Sequence, residues 1–132
     1  ITDAVTIASS QTFACAVRAT GEVACWGGNT DFGLGTVGTH LTPVAPTFVT
    51  VTDAVDVTTA DGAACVRGTS GAVTCWGHYA GLGSGVVAGI PDAQVVAISH
   101  SVTSAGAPTC ALRATHVVEC WTTMAPAPLS DP

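Results

Sequence analysis

Six cysteines fall into three pairs with identical internal spacing, and this regularity constrains the fold more than any other feature of the sequence. Nine residues separate the two members of each pair, and a tryptophan directly follows each second cysteine. The Cys-Trp step recurs after 50 and then after 45 residues. A period of this size is typical of propellers, solenoids and other arrays of one supersecondary unit. The pairs and their tryptophans are Cys15 with Cys25-Trp26, Cys65 with Cys75-Trp76, and Cys110 with Cys120-Trp121.

This alignment divides the chain into three repeats, at residues 1–50, 51–93 and 94–124, which together predict one structural domain. The segment Thr-Asp-Ala-Val occurs at 2–5 and again at 52–55. The third repeat has Thr122 where the others have Gly27 and Gly77, so we expect it to be a degenerate, terminal repeat. Residues 125–132 are rich in proline and are expected to form a loose, proline-stiffened tail.

Each repeat is predicted to be a four-stranded antiparallel unit in an all-β protein. Apolar residues make up 48% of the chain and are mostly Val and Ala, which with abundant Thr suits half-buried strands. In the first repeat we expect a strand at 5–8, a hairpin of 13–18 and 22–26, a glycine-rich loop, and a last strand at 44–49. Gly21 and Gly71 lie midway between their cysteines, where a tight turn needs positive φ.

Folding each hairpin about its turn sets the two cysteines opposite each other on neighbouring strands, at a separation that a disulfide can span. We therefore predict three disulfides, one within each hairpin. Each closes a loop of about ten residues and stabilises by roughly 2–3 kcal/mol. Disulfides require an oxidising compartment, so an extracellular or cell-surface location is expected. Free buried cysteines or a metal site are the alternatives.

The charge of the chain restricts its partners. Its formal net charge is −6, it contains no lysine, and its cations are Arg18, Arg67 and Arg113. Binding of nucleic acid needs a basic stripe, which three arginines cannot form, and no apolar stretch approaches the roughly 20 residues that span a bilayer. We expect neither nucleic-acid binding nor membrane insertion. Each arginine follows the first cysteine of a pair by two or three residues, so a structural ion pair is expected in each hairpin, with a ring of ligand-binding arginines as the alternative.

No recognisable catalytic, cofactor or metal motif is present, and the chain is predicted not to be an enzyme. The histidines occupy unrelated repeat positions, and the sequence has no Cys-x2-Cys or His-x-His spacing. It also lacks a Gly-x-Ser-x-Gly elbow and a phosphate-binding loop with a following lysine. The three tryptophans are expected to pack in the core of the repeats rather than to stack on sugars. The histidines are His40, His78, His100 and His116.

The segment from Phe13 to Gly27, FACAVRATGEVACWG, resembles the core of a regulator of chromosome condensation repeat. Asn29 and the Phe-Gly-Leu-Gly segment at 32–35 resemble that family's loop. The resemblance covers nearly the whole chain and is strongest in the first repeat. The Cys-Trp variant is similar to secreted bacterial members, whose paired cysteines flank the hairpin. The resemblance implies a β-propeller of four-stranded antiparallel blades, usually seven, so that this chain would form three blades.

Three blades do not close a propeller, so two blade faces are expected to stay open. We therefore predict a non-catalytic extracellular structural or protein-interaction module that self-assembles through these faces, as a ring or a filament. One alternative is a binding module of an extracellular propeller that recognises a protein or a glycan. Another is a fragment of a longer, seven-bladed chain. The family's nucleotide-exchange activity on a small GTPase bound to chromatin fits poorly with a disulfide framework and an acidic chain.

Overall fold

The computed structural model describes residues 1–28, 44–60, 62–77, 85–99, 108–122 and 127–128. Within these ranges the regular structure consists of β-strands, with no helix, which confirms the all-β prediction. The strands are β1 Ala4–Ser9, β2 Phe13–Arg18, β3 Val23–Gly27, β4 Val44–Val49, β5 Ala54–Ala60, β6 Ala63–Gly68, β7 Val73–Gly77, β8 Gly85–Val86, β9 Ala93–Ile98, β10 Thr109–Arg113, β11 Val118–Trp121 and β12 Ala127–Pro128.

The strands of the described residues form three antiparallel sheets of four consecutive strands each. We call them sheet 1 (β1–β4), sheet 2 (β5–β8) and sheet 3 (β9–β12). They correspond to the three sequence repeats, except that sheet 3 begins at Ala93, one residue before the predicted boundary. In sheet 1 the four strands lie where the sequence places them, to within a residue at each end.

The prediction of a loose tail at 125–132 is wrong for two of its residues. Ala127 and Pro128 form β12 and lie opposite Cys120 and Glu119 of β11. The physical reason is that β11 would otherwise expose a row of unpaired backbone groups along its outer edge. Pro128 is compatible with this position because an edge strand needs no amide donor on its outer side. The other residues of the tail lie outside the described part of the chain.

The central hairpins of the three sheets share one register. Cys15 lies opposite Cys25, Cys65 opposite Cys75, and Cys110 opposite Cys120. The turns of the first two hairpins use Gly21 at φ 84° and Gly71 at φ 91°, as predicted. The third hairpin places His116 at the same point, with φ 63°. A histidine therefore occupies left-handed backbone that glycine adopts more readily.

Successive sheets pack face to face around two apolar cores. In each core the tryptophan of one sheet lies with the cysteine pair of the sheet before it. The first core contains Phe13, Cys15, Val17, Val23 and Cys25 of sheet 1 with Ala54, Val57, Ala64, Val66 and Trp76 of sheet 2. The second contains Ala63, Cys65, Val73 and Cys75 of sheet 2, the following Val87 and Ile90, and Ala93, Ala111 and Trp121 of sheet 3.

Backbone hydrogen bonds also join the turns of the first two hairpins to the sheets that follow them. The carbonyl of Gly21 accepts from the amide of Ala54 at 3.0 Å, and the carbonyl of Gly71 accepts from the amide of Ala93 at 2.9 Å. Ala54 and Ala93 are the first residues of sheets 2 and 3. Two contacts therefore fix how each sheet packs on the one before it. One is the packing of its tryptophan against the preceding cysteine pair, and the other is the hydrogen bond from its first strand to the preceding turn.

Candidate functional site

Within the described part of the chain, the side of sheet 1 that faces away from sheet 2 is an uncovered apolar surface. Its residues are the counterparts, by strand register, of residues that sheets 2 and 3 bury against their neighbours. Ile7 in sheet 1 and Val57 in sheet 2 are counterparts, because they lie opposite the equivalent residues Ala16 and Val66. The side chain of Ile7 is 65% exposed, however, and that of Val57 only 7%. We call this surface the tryptophan face; it lines a cavity of about 320 Å³ formed by Ile1, Ala4, Ile7, Ala16 and Trp26.

The opposite end of the stack, on sheet 3, presents the second open surface. Val118 is 39% exposed, whereas its counterpart Val23 in sheet 1 is fully buried. Leu112 is partly exposed, and its counterpart Val17 is fully buried. We call this surface the cysteine face of sheet 3; it consists of Cys110, Leu112, Val118 and Cys120.

The six cysteines lie in the pairs that their spacing predicts. The Cα atoms of each pair are 4.1 Å apart, and the Sγ atoms lie within bonding distance. The first two pairs are fully buried between sheets, whereas Cys110 and Cys120 are partly exposed on the last sheet. The cysteine pair is thus fully buried in sheets 1 and 2 and partly exposed in sheet 3.

The three tryptophans differ in the same way. Trp76 and Trp121 are 2% and 3% exposed in the two inter-sheet cores. Trp26 is only half-buried and lines the cavity of the tryptophan face. The sequence assigns all three to the core of the repeats, but sheet 1 stands at the end of the stack, and no other described sheet covers Trp26.

Two of the three arginines form the expected ion pairs with carboxylates. Arg18 donates from Nε to Asp3 Oδ1 at 2.9 Å and from Nη1 to Glu22 Oε2 at 2.8 Å. Because the guanidinium donates to its carboxylate, the pKa of Asp3 lies below its ordinary value of 3.8. Conversely, the hydrogen bond to Asp3 raises the pKa of Arg18.

Sheet 3 repeats this arrangement with one residue that the sequence alignment of the repeats did not identify. Arg113 donates from Nε to Asp92 and from Nη1 to Glu119 Oε1, the latter at 2.8 Å. The hydrogen bond to Asp92 raises the pKa of Arg113. Asp92 is the counterpart of Asp3, since each directly precedes the first strand of its sheet. The repeated Asp-Ala step at 3–4, 53–54 and 92–93 is the signal that would have found it.

Arg67 does not occupy the position of the other two arginines. It lies opposite Val73, as Val17 lies opposite Val23, and Gly68 takes the place of Arg18. Successive residues of a strand point to opposite faces, so this shift of one residue sends the side chain to the other side of the sheet. Among the described residues no ion pair holds Arg67, and its Nε is buried without a partner there. A ring of three equivalent arginines is therefore not formed.

The histidines and acidic residues provide no evident reactive centre in the described part of the chain. His116 is exposed at a turn, and His40, His78 and His100 lie outside the described residues. Within the described ranges no three of the His, Cys, Asp or Glu residues group as metal ligands. The same ranges contain no helix that is long and apolar enough to cross a membrane.

A comparison with protein-family models matches residues 4–33 to the regulator of chromosome condensation (RCC1) repeat. The matched range includes β1, β2 and β3 of sheet 1. The match confirms the resemblance that the segment from Phe13 to Gly27 indicates. A sequence comparison with curated proteins found no match.

Comparison with solved structures shows the same architecture. The chain is similar to yeast RCC1 (Prp20) bound to Kap60, with a TM-score of 0.77 and 13% identity over 97% of this chain and 37% of that one. Prp20p from Saccharomyces cerevisiae, described with its binding to Gsp1p and histones, gives a TM-score of 0.75 and 13% identity over 97% and 38%. Human WBSCR16 gives a TM-score of 0.71 and 15% identity over 98% and 40%.

The chain thus spans less than half the length of each of these structures. At 13–15% identity the likeness shows the fold, a set of propeller-type sheets, and not a shared activity.

Proposed function

We propose that this chain, which carries a regulator of chromosome condensation repeat, is a non-catalytic, extracellular protein-interaction module. We further propose that it self-associates through the open faces of its propeller-type sheets. The interaction is made by the faces of whole sheets rather than by a pocket of reactive side chains. A sheet of the same kind, supplied by a second copy of the chain, is the partner.

The observation that carries this proposal is the repetition of one interface. The molecule already contains two apolar interfaces. In each one, the side of a sheet that carries its tryptophan covers the side of the preceding sheet that carries its cysteine pair. The same positions recur on the outer sides of sheets 1 and 3, where no other described sheet covers them. Ile7 at 65% and Val118 at 39% exposure are the clearest examples. Large contiguous apolar surfaces on soluble domains mark sites of association, because covering them removes apolar area from water.

The free energy that association gains by burying these faces can be judged from the contribution of single side chains. Complete burial of one large aliphatic side chain contributes about 1.5–3 kcal/mol relative to leaving it exposed. Ile1 and Ile7 are each more than half exposed, and the half-buried Trp26 adds aromatic surface beside them. A few such side chains offset a substantial part of the entropy that two molecules lose on association.

The cysteine pairs support a location outside the reducing cytosol. Each pair has the separation that a disulfide requires, and no cysteine of the chain is left over. Thiols in this arrangement oxidise readily where the redox potential allows it. We propose that all three disulfides are formed in the native protein, which the intact mass before and after reduction will test. A native mass equal to that of the fully reduced chain would contradict both the disulfides and the location.

Self-association is tested by light scattering on the non-reduced chain over a range of concentrations. We expect a mass above the 13.0 kDa of one chain that falls on dilution. A mass of one chain at every concentration would overturn self-association.

Binding of a different protein is the second candidate. Yeast RCC1 (Prp20), which has the same fold, binds Kap60, and its binding to Gsp1p and histones is also described. Propellers of this kind therefore bind proteins. The net charge of −6 favours a basic partner for this chain through electrostatic complementarity. A chain that stays monomeric and is retained by a basic protein at low but not at high salt would favour this candidate.

A further inference from the structure

We infer that the interface between sheets 2 and 3 is the weaker of the two internal interfaces, and that sheet 3 separates from sheet 2 while sheets 1 and 2 stay packed. Both interfaces lie within one chain, so the inference does not rest on the proposed self-association. Separation does expose a further side that carries a tryptophan and a further side that carries a cysteine pair. It therefore controls how many surfaces of each kind the molecule presents.

The sides of sheets 2 and 3 that carry the tryptophans differ at one fully buried position. Ala64 lies opposite Trp76 in sheet 2, and its counterpart Thr109 lies opposite Trp121 in sheet 3. Ala64 and Thr109 are both 0% exposed. The hydroxyl oxygen of Thr109 and the indole nitrogen of Trp121 are buried, and neither has a hydrogen-bond partner in the described part of the chain. The second interface thus buries a hydroxyl where the first has only a methyl group.

The sides of sheets 1 and 2 that carry the cysteine pairs differ in the same direction. Val17 is fully buried in the first interface, and its counterpart in sheet 2 is Arg67. Arg67 follows Cys65 by two residues, so it lies on the side of sheet 2 that faces sheet 3. Its Nε is buried without a partner among the described residues. A charged side chain therefore borders the second interface at the position where valine fills the first.

The apolar side chains of the two cores do not reverse this difference. Two large side chains of the first core have alanine as their counterpart in the second, and two others are added from the segment that precedes sheet 3. The replacements are Ala63 for Phe13 and Ala111 for Val66, and the additions are Val87 and Ile90. Because the additions offset the replacements, the buried polar atoms decide which interface is weaker.

These polar atoms are distributed unequally. Among the described residues, four buried polar atoms of side chains lack a partner, and three of them are the atoms of the second interface just named. The fourth, Oγ1 of Thr59, lies opposite Ala64 on the side of sheet 2 that faces sheet 1. Each such atom gives up its hydrogen bonds to water and gains none in return, which favours separation by about fivefold or more. Sheets 2 and 3 should therefore separate more often than sheets 1 and 2.

The segment between β8 and β9 provides the hinge. The amide of Val87 donates to the carbonyl of Val73 at 2.8 Å, which ties this residue to sheet 2. Arg113 Nη1 donates to the carbonyl of Gly89 at 3.1 Å, which ties that residue to sheet 3. Ala88 lies between them and is exposed, and a Cβ built on Gly89 would meet no atom within 4 Å. Sheet 3 can therefore rotate away about Ala88 without breaking either hydrogen bond.

Hydrogen exchange of two matched amides tests the inference. The amide of Ala93 donates to Gly71 across the second interface at 2.9 Å, and the amide of Ala54 donates to Gly21 across the first at 3.0 Å. Exchange of each amide under native conditions reports the opening of its own interface. In the non-reduced chain, followed by NMR, we expect Ala93 to exchange at least about fivefold faster than Ala54 after correction for the rates of the unfolded chain.

A matched pair of variants exchanges the residue that distinguishes the interfaces. Thr109→Ala gives the second interface the alanine of the first, and Ala64→Thr gives the first the threonine of the second. We expect Thr109→Ala to slow exchange at Ala93 at least about fivefold and to leave exchange at Ala54 within about twofold. Ala64→Thr should accelerate exchange at Ala54. Circular dichroism identifies a variant that fails to fold, and Arg67→Val then provides a second test, because it should act on Ala93 as Thr109→Ala does.

Two results would overturn the inference. One is a wild-type chain in which the Ala93 amide is protected as well as that of Ala54, or better. The other is a pair of variants, Thr109→Ala and Arg67→Val, that both leave exchange at Ala93 unchanged, since the polar atoms would then not weaken this interface. A chain that stays monomeric at every concentration overturns the proposed self-association but not this inference, because both amides report contacts within one molecule.

Discussion

The carbonyl oxygen of Gly21 lies 3.0 Å from the amide nitrogen of Ala54, and this hydrogen bond joins the first hairpin turn to the start of sheet 2. It requires both positive φ at Gly21 and the absence of a side chain there. One residue thus meets a local and a tertiary requirement. The local requirement shapes the turn, and the tertiary one permits two sheets to stack.

Gly21→Ala should destabilise the protein by about 2 kcal/mol or more. The new Cβ is strained by positive φ and collides with the backbone of Thr52. Chemical denaturation monitored by tryptophan fluorescence measures the loss. His116→Gly is the matched control, because it removes a side chain at the equivalent turn and should not destabilise. Equal losses in the two variants would contradict this account.

Truncation of Trp76 should cost far more than truncation of Trp26. Trp76 is 2% exposed between two sheets, so Trp76→Ala leaves a cavity and costs roughly 3–5 kcal/mol. Trp26 is half-buried on an open face, so Trp26→Ala should cost less than half as much in the dissociated chain. Urea unfolding at low protein concentration compares the two. The idea is refuted if Trp26→Ala proves the more destabilising change.

Stability should decrease in acid because of Asp3. Its pKa lies below the ordinary 3.8 when the chain is folded, since Arg18 donates to the carboxylate. A depressed pKa contributes stability above the unfolded value, and this contribution is lost as pH falls through the folded one. The difference in unfolding free energy between wild type and Asp3→Asn should therefore be largest near pH 7 and shrink below about pH 4. A difference that is constant down to about pH 2 would argue against the ion pair.

Gly68 is buried, so an arginine there must reach solvent as Arg18 does, and Gly68→Arg should be more stable than Gly68→Ala by roughly 0.2–1 kcal/mol, the usual range for a solvent-accessible ion pair. Gly68 occupies the position of Arg18, and Asp53 lies beside it as Asp3 lies beside Arg18. A Cβ at this position meets the carboxylate of Asp53, which can move because it is the end of a side chain. Gly68→Ala is the control, and thermal unfolding at low salt is the measurement. The gain over the alanine variant should diminish at high salt.

Loss of the central cysteine pair should destabilise the chain by about 2–3 kcal/mol. Cys65 and Cys75 are fully buried opposite each other, and the double variant with alanine at both positions leaves no unpaired thiol. The comparison is with the oxidised wild type in denaturant. An unfolding midpoint that neither this double variant nor a reducing agent alters would indicate that no covalent bond joins the pair.

The repeat pattern of the sequence determined the local structure of each sheet. The spacing of Cys15 and Cys25 about Gly21 placed a hairpin and its register correctly, because a turn and the alternation of a strand are properties of adjacent residues. The same pattern assigned Trp26, Trp76 and Trp121 to one repeat position. The repeated Asp-Ala step marks Asp92 as the counterpart of Asp3, but its ion pair with Arg113, 21 residues away, is visible only in the structure.

Only the tertiary structure decided which equivalent residues differ in their surroundings. Trp26 and Trp76 occupy the same position in the repeat, yet the second is covered by a neighbouring sheet and the first is open, since burial depends on where a sheet stands in the stack. Arg67 resembles Arg18 in its distance from a cysteine, but a shift of one residue along the strand sends it to the opposite face. The local pattern could therefore be predicted from the sequence, whereas the exposure of each tryptophan depends on contacts between residues far apart in the chain.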